Sequence, residues 1–394
     1  MTKFRMSALS ALVAVGVMGM AGAASADGVV GGGATLPEDL YNGPNNTDGI
    51  LTGSVPDFEF YTGVGSGAGK RAFFNNDATE FDLAAGTTVD YAGSDSLVTA
   101  TEAEDYADHL TLGEASFGPL IQVPSVLTSV TVPFNVPGLG TLDLTSEQLA
   151  LIFADPAVVN WNDSGLAIPN APATPITVVY RTDGSGTTEI FLRHLNAINP
   201  ALVSQVSNSF SGTIDVSSPK YVGANGSDGV VTALGENDYS ITYVSPDKVD
   251  YDNPAEVASI NGDLPTEVNV QSALTGILPP ILSARNDAVN WGIGYVASGV
   301  SPIANPAQGY PIVGATNLIF SQCYLDGADS NKIRTFFDQH YASGSTVNDA
   351  AITAGSFIKL PENWRSAVYN AFYTQSSALS VGNANVCNGK GRPL

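Results

Sequence analysis

The sequence predicts an α/β fold arranged as two lobes, on three observations. β-Branched and aromatic runs bounded by turn residues alternate with segments of 3.6-residue apolar spacing, as strands interleaved with helices on largely parallel sheets would. Removal of an N-terminal leader leaves 368 residues, and single cores stop growing beyond ~250–300 residues. Gly and Pro make up 64 of 394 residues, yet aromatic and β-branched residues are plentiful, so the chain is rich in turns without a disordered composition.

The leader comes first. Lys3 and Arg5 give a positive start, Met6 to Gly22 is an apolar run, and Ala24-Ser25-Ala26 is an A-x-A cleavage site. This is the pattern of a secretory signal peptide over 1–26. No later stretch reaches the ~18 consecutive apolar residues of a spanning helix. Strands are expected at Val89–Asp95, Pro119–Asn135, Pro175–Asp183 and Tyr239–Asp247. Helices are expected at Thr145–Asp155, Gly186–Ile198, Ser227–Asp238 and Asn331–Gly344. Thr145 and Gln148 have the spacing of a capping box. Residues 251–286 are rich in Pro, Asn and Asp and read as irregular.

The mature chain carries 13 basic against 38 acidic residues, a net charge of −25. Such a surface repels nucleic acid and anionic membranes. It repels small anions too, so any anion site must work through close, local donors. Cys323 and Cys387 are the two cysteines, and an even pair in an exported chain reads as one disulfide. Their spacing does not suit a cysteine metal site.

Small donor-rich turns recur before helix-like segments, at 31–41, 63–74, 92–96, 183–191 and 224–231. Glycine admits a ligand close to backbone N–H groups, and the first turn of a helix has unpaired donors and a partial positive charge. Singly, each is an ordinary cap. Their recurrence, with Arg181 leading one of them, points to an anion cradle.

Other chemistries fit less well. "GVGSGAGK" has Val64 where a Walker A loop has glycine, and Arg71 follows Lys70. Gly63-x-Gly65-x-x-Ala68 is a lone dinucleotide match in an exported chain. Neither Ser66 nor Ser185 lies in G-x-S-x-G. His109, His194 and His340 are scattered, so each is expected in a solvated or capping role. No cofactor and no metal is expected.

At "GGGATLP", "GSGAGK" and "RTDGSGTT" together, and in "NLIFSQCY" and the tail "NANVCNGKGRPL", the chain resembles the DING proteins, a branch of the phosphate-binding proteins that serve phosphate ABC importers. The resemblance covers most of the mature chain and is poor between about 251 and 311. The family start Asp-Ile-Asn-Gly is replaced here by "DGVVGGG". A second disulfide of the family falls on Ala150 and about Asn199, so both partners are absent together.

The resemblance implies a type II periplasmic-binding-protein fold: two α/β lobes, a hinge crossed twice and a ligand cleft between them. Lobe 1 would be 27–124 plus 310–394 and lobe 2 125–309, with hinges near Ile121–Ser125 and Gly309–Gly314. The implied phosphate ligands are Thr35, the Leu36 backbone, Ser66, Asp95, Arg181, Ser185, Gly186 and Thr187. The residue types agree: arginine offers a fork of donors, the hydroxyls neutral donors, and the Gly186 and Thr187 amides a helix N-terminus. Asp95 stands apart as an anion facing an anion. The implied role is an exported, monomeric phosphate binder, periplasmic or secreted, delivering inorganic phosphate to the permease of an ABC importer, with no nucleic acid partner. The rival is a low-molecular-weight alkaline phosphatase. The sequence offers Arg181 and helix termini for that chemistry, but no metal-holding carboxylate and histidine set.

Overall fold

The computed structural model describes residues 28–43 and 48–392; the leader expected at 1–26 lies outside them. The chain opens with β1 (Gly31–Gly33), α1 (Glu38–Asn42), β2 (Thr62–Gly63), α2 (Ser66–Asn75), β3 (Tyr91–Ser94), α3 (Ala100–Asp108) and α4 (Glu114–Phe117). Next come β4 (Leu120–Ser129), β5 (Phe134–Asn135), β6 (Asp143–Leu144), α5 (Ser146–Ala154), β7 (Thr177–Arg181) and α6 (Gly186–Ile198). β8 (Tyr221–Ala224), α7 (Gly226–Glu236), β9 (Ser240–Ile241), β10 (Ser259–Ile260) and α8 (Glu267–Ala273) follow. The last part holds β11 (Val313–Ser321), α9 (Gly327–Tyr341), α10 (Asp349–Ala354), β12 (Ile358–Lys359) and α11 (Glu362–Val368).

Two main sheets organise these elements. One has six strands in the order β12-β4-β11-β3-β1-β2, the other four in the order β5-β9-β7-β8. The expectation of largely parallel sheets holds only in part. β1 runs parallel to β2 and β3, and β7 parallel to β8 and β9. β4 and β11 are antiparallel to one another, because the chain leaves the large sheet along β4 and returns along β11.

The apolar run 119–135 is therefore two strands in two sheets. β4 keeps to the large sheet through Ser129, paired with Val313. Thr131 then bridges Val244, and Phe134 pairs with Ile241 in the small sheet. Ile121–Ser125, expected at the hinge, lies inside β4; the chain changes sheets beyond Ser129. Pro124 is tolerated there because the register shifts by one at Thr316/Asn317, leaving Ser125 as a bulge. The end of α9 covers it: His340 Nε2 bonds the Ser125 carbonyl at 2.8 Å, and the Tyr341 hydroxyl donates to the Pro124 carbonyl at 2.9 Å.

Caps set the helix starts. The Thr145/Gln148 capping box is formed, and a second joins Thr99 and Glu102. α9 begins at Gly327 rather than near Asn331, because Asp326 accepts from the Ala328 amide. Residues 251–286 are not wholly irregular: β10 pairs with β6, and Thr266 caps α8. Behind the start of α6, Phe191 stacks on Tyr243 with centroids 4.5 Å apart, and Phe153 meets Phe191 edge-on at 4.7 Å. These rings are fully buried and stabilise the fold by about 2–3 kcal/mol each. Among the described residues no helix is long and apolar enough to cross a membrane.

Candidate functional site

The starts of α2 and α6 meet between the sheets. Gly65, with φ +92°, turns the chain into α2. The Ser66 hydroxyl then accepts from the Asp95 amide at 3.0 Å and from the Gly186 amide at 3.2 Å. The Gly67 amide donates to the Gly184 carbonyl at 2.9 Å. Ser185 caps α6 by accepting from the Thr188 amide at 3.2 Å. A Cβ at Gly186 would lie 2.4 Å from the Asp95 Cβ and 2.6 Å from the Ser66 Oγ, so only glycine allows this approach.

Arg181 ends β7 and is 2% exposed. Its Nε donates to Asp183 Oδ1 at 2.7 Å, and its Nη2 pairs with Asp183 Oδ2. Nη2 also donates to the Thr35 hydroxyl at 3.0 Å, and Nη1 to the Ser227 hydroxyl at 3.3 Å. Burial pushes the Asp183 carboxyl up, but the Arg181 guanidinium outweighs it and the net shift is downward. The buried cation is thus paired, as a charge removed from water must be. The Arg181 amide donates to the Tyr243 hydroxyl at 3.2 Å, and that hydroxyl lies 2.7 Å from Thr188 Oγ1, tying the site to the aromatic core.

Asp95 follows β3 and is 3% exposed. Burial raises its carboxyl to about 7, against the pull of the Thr316 hydroxyl, Arg181 and Ser66. Asp95 Oδ1, Ser96 Oγ and Thr187 Oγ1 are buried without a hydrogen-bond partner in the protein. Buried polar atoms are rarely left so, and a cluster of them beside Arg181 and two helix starts marks a place for a polar ligand. The donors are many and the Asp95 carboxylate accepts, so the arrangement suits an oxyanion that brings a proton.

The model of the PBP superfamily domain matches residues 24–329. A "Phosphate-binding protein" of an unknown prokaryotic organism is 41% identical over 92% of this chain and 99% of its own. The structure of a high affinity periplasmic phosphate-binding protein, PfluDING, bound with phosphate, is 41% identical, covers 93% of this chain and 100% of its own, and gives a TM-score of 0.83. The chain belongs to the DING phosphate-binding proteins of the PBP superfamily. The name "Alkaline phosphatase L" occurs within the same family: the Pseudomonas aeruginosa protein is 42% identical over 94% of this chain and 95% of its own.

In this DING chain Thr35, Ser66, Asp95, Arg181 and Gly186 join one hydrogen-bonded and electrostatic cluster. Ser185, Thr187 and Leu36 are buried beside them in the chain. Sequence reasoning missed Asp183 and Ser227. Both lie in donor-rich turns singled out above, but their contacts with Arg181 are tertiary. Of the three histidines, His109 meets the expectation and the other two differ from it. His109 is exposed and its Nδ1 accepts from the Leu112 amide at 2.9 Å, a capping role. His194 and His340 are buried, and burial pushes each imidazole down to about 4. The Ala304 carbonyl only accepts, so His194 Nδ1 carries its proton, and Nε2 receives from Ser146. Cys323 and Cys387 are bonded as expected.

Proposed function

We propose that this protein captures inorganic phosphate outside the cytoplasm by closing two lobes on it. The observation that carries this is the unpartnered Asp95 Oδ1 and Thr187 Oγ1 among buried donors. Arg181 supplies the cation, Thr35, Ser66, Ser185 and Thr187 the hydroxyls, and Leu36 and Thr187 the amides, while the Gly186 amide holds the Ser66 hydroxyl in place. Asp95 accepts the proton that phosphate still carries near neutral pH. Lobe 1 is taken as 27–124 plus 310–394 and lobe 2 as 125–309, with β4 carrying lobe 1 on to Ser129.

Phosphatase turnover is the second reading, favoured by the name of the Pseudomonas aeruginosa relative. Closure argues against it. Gly67 to Gly184, Gly186 to Ser66 and Arg181 to Thr35 are hydrogen bonds that join the two lobes around buried side chains, leaving little passage for the organic group of an ester. The signal pattern at 1–26 supports export, to the periplasm or beyond. Delivery to an ABC permease, as a monomer, completes the proposed role.

Titration of the purified protein with phosphate by calorimetry, beside an assay with a chromogenic phosphomonoester, tests both readings. Saturable binding of one phosphate without turnover is expected. Turnover that follows the pure protein and disappears in Ser66→Ala or Ser185→Ala would favour the enzyme.

A further inference from the structure

At the mouth of the cleft, Lys248 ends the 3-10 turn Pro246–Lys248, just past β9. Its Nζ meets Asp39 Oδ2 at 2.6 Å, Asp228 Oδ1 at 3.2 Å and Asp247 Oδ2 at 3.7 Å. These carboxylates are not equivalent. Asp228, at the start of α7, and Asp247 stand on the same side as Lys248. Asp39 is in α1, which follows the Thr35–Leu36 loop on the opposite side. The Lys248 side chain is 14% exposed. Burial works against its charge, but Asp247, Asp39 and Asp228 outweigh that and hold the ammonium above the usual lysine range. The near side thus sets two carboxylates around the cation, while its hydrogen bond goes to Asp39 across the cleft.

We propose that Lys248 is a latch across the cleft, setting how long phosphate is retained by bonding Asp39 only when the lobes are closed; this rests on the phosphate reading above. Opening moves α1 away and breaks one ion pair, while Asp228 and Asp247 keep Lys248 in place. The latch also moves with the ligand loop, because Asp39 lies four residues beyond Thr35 on the same turn into α1. Lys248 has a second effect. It offsets carboxylates at the entrance, where uncompensated charge would slow an incoming anion.

The two effects separate in kinetics. Removing Asp39 loosens the closed state and makes the mouth less negative. Removing Lys248 loosens it and makes the mouth more negative. Release of radiolabelled phosphate into unlabelled excess gives the dissociation rate, and initial uptake gives the association rate. Asp39→Asn is expected to raise dissociation about 2–5-fold, the range for a partly exposed ion pair, without slowing association. Lys248→Met is expected to raise dissociation at least as much and to slow association, with the double variant no faster in release than Lys248→Met alone. Asp39 is 61% exposed, so Asn there leaves the fold intact even if Lys248→Met does not. Dissociation unchanged in Asp39→Asn, or additive in the double variant, overturns the latch while leaving phosphate binding standing. If the wild type takes up no phosphate, the site reading fails instead. The latch is then decided by X-ray scattering: it stands if Asp39→Asn enlarges the radius of gyration and falls if it does not.

Discussion

The Ser66 hydroxyl at the start of α2 accepts from the Gly186 amide at the start of α6 at 3.2 Å. Two helix N-termini from different sheets thereby share one small volume, and their partial positive charges add there. The contact demands a residue without Cβ at 186, although the backbone there has no positive φ. Gly186→Ala is therefore expected to leave thermal stability near wild type and to lower phosphate affinity roughly 10- to 100-fold, the cost of overpacking by one methyl. Calorimetric titration beside a melting curve checks this. Wild-type affinity in the variant would mean the lobes do not close against each other here.

Arg181 is the cation of the proposed site, and its guanidinium is already oriented by Asp183. A charge-assisted contact in a closed cleft contributes roughly 2–5 kcal/mol, mostly as slower release. Arg181→Ala should abolish high-affinity binding while circular dichroism shows the fold retained. Asp183→Ala should do damage of another kind. It leaves a buried guanidinium unpaired, so the folded state itself loses about 3–5 kcal/mol. An Arg181→Ala affinity within about tenfold of wild type removes Arg181 from the site.

The Cys323–Cys387 bond closes a separation of 64 residues. In the chain-entropy model this restrains the unfolded chain by on the order of 4 kcal/mol. Both cysteines lie outside the phosphate cluster. Cys323→Ala with Cys387→Ala is expected to lower the unfolding free energy by about 2–4 kcal/mol in denaturant titration and to leave the phosphate Kd unchanged. Two free thiols in the unreduced, unfolded wild type would remove the premise.

Much of this was legible because it is local. The bounds of α6 and the capping box of α5 follow from a hydroxyl before an apolar-periodic run. The site loops were legible as donor-rich turns, and as proposed ligands only through family resemblance, since Arg181 and Thr35 are 146 residues apart. Lys248 and Asp39, 209 residues apart on a short 3-10 turn and a short helix, left no such signal. The run 119–135 failed for a different reason. β-Propensity registers that a residue suits a pleated surface, not which of two sheets it joins, so β4 and β5 merged into one expected strand. His194 and His340 failed because periodicity does not reveal that a neutral imidazole can be buried once both nitrogens have partners.

In the proposed site Asp95 is expected to decide which tetrahedral anion is accepted, and pH should expose how. Donors alone would hold sulfate as readily as phosphate. An ionised carboxylate only accepts, so it needs a ligand that brings a proton. Sulfate has none near neutral pH, and two unscreened negative charges in a dry site cost several kcal/mol. Burial, however, raises the Asp95 carboxyl to about 7. Below that value the group is protonated and can itself donate to sulfate. Above it, sulfate must wait for a proton to be taken up. Competition by sulfate is therefore expected to strengthen as pH falls from about 8 to 6. Above the carboxyl's own value the dependence should approach tenfold per pH unit, the signature of one linked proton. Asp95→Asn replaces the titrating group by an amide that donates and accepts at every pH. It should keep much of the phosphate affinity, admit sulfate far better, and lose this pH dependence. Competition titrations of both anions at constant ionic strength, across that range, check all three. A phosphate-to-sulfate ratio that is the same in wild type and variant would take Asp95 out of the site.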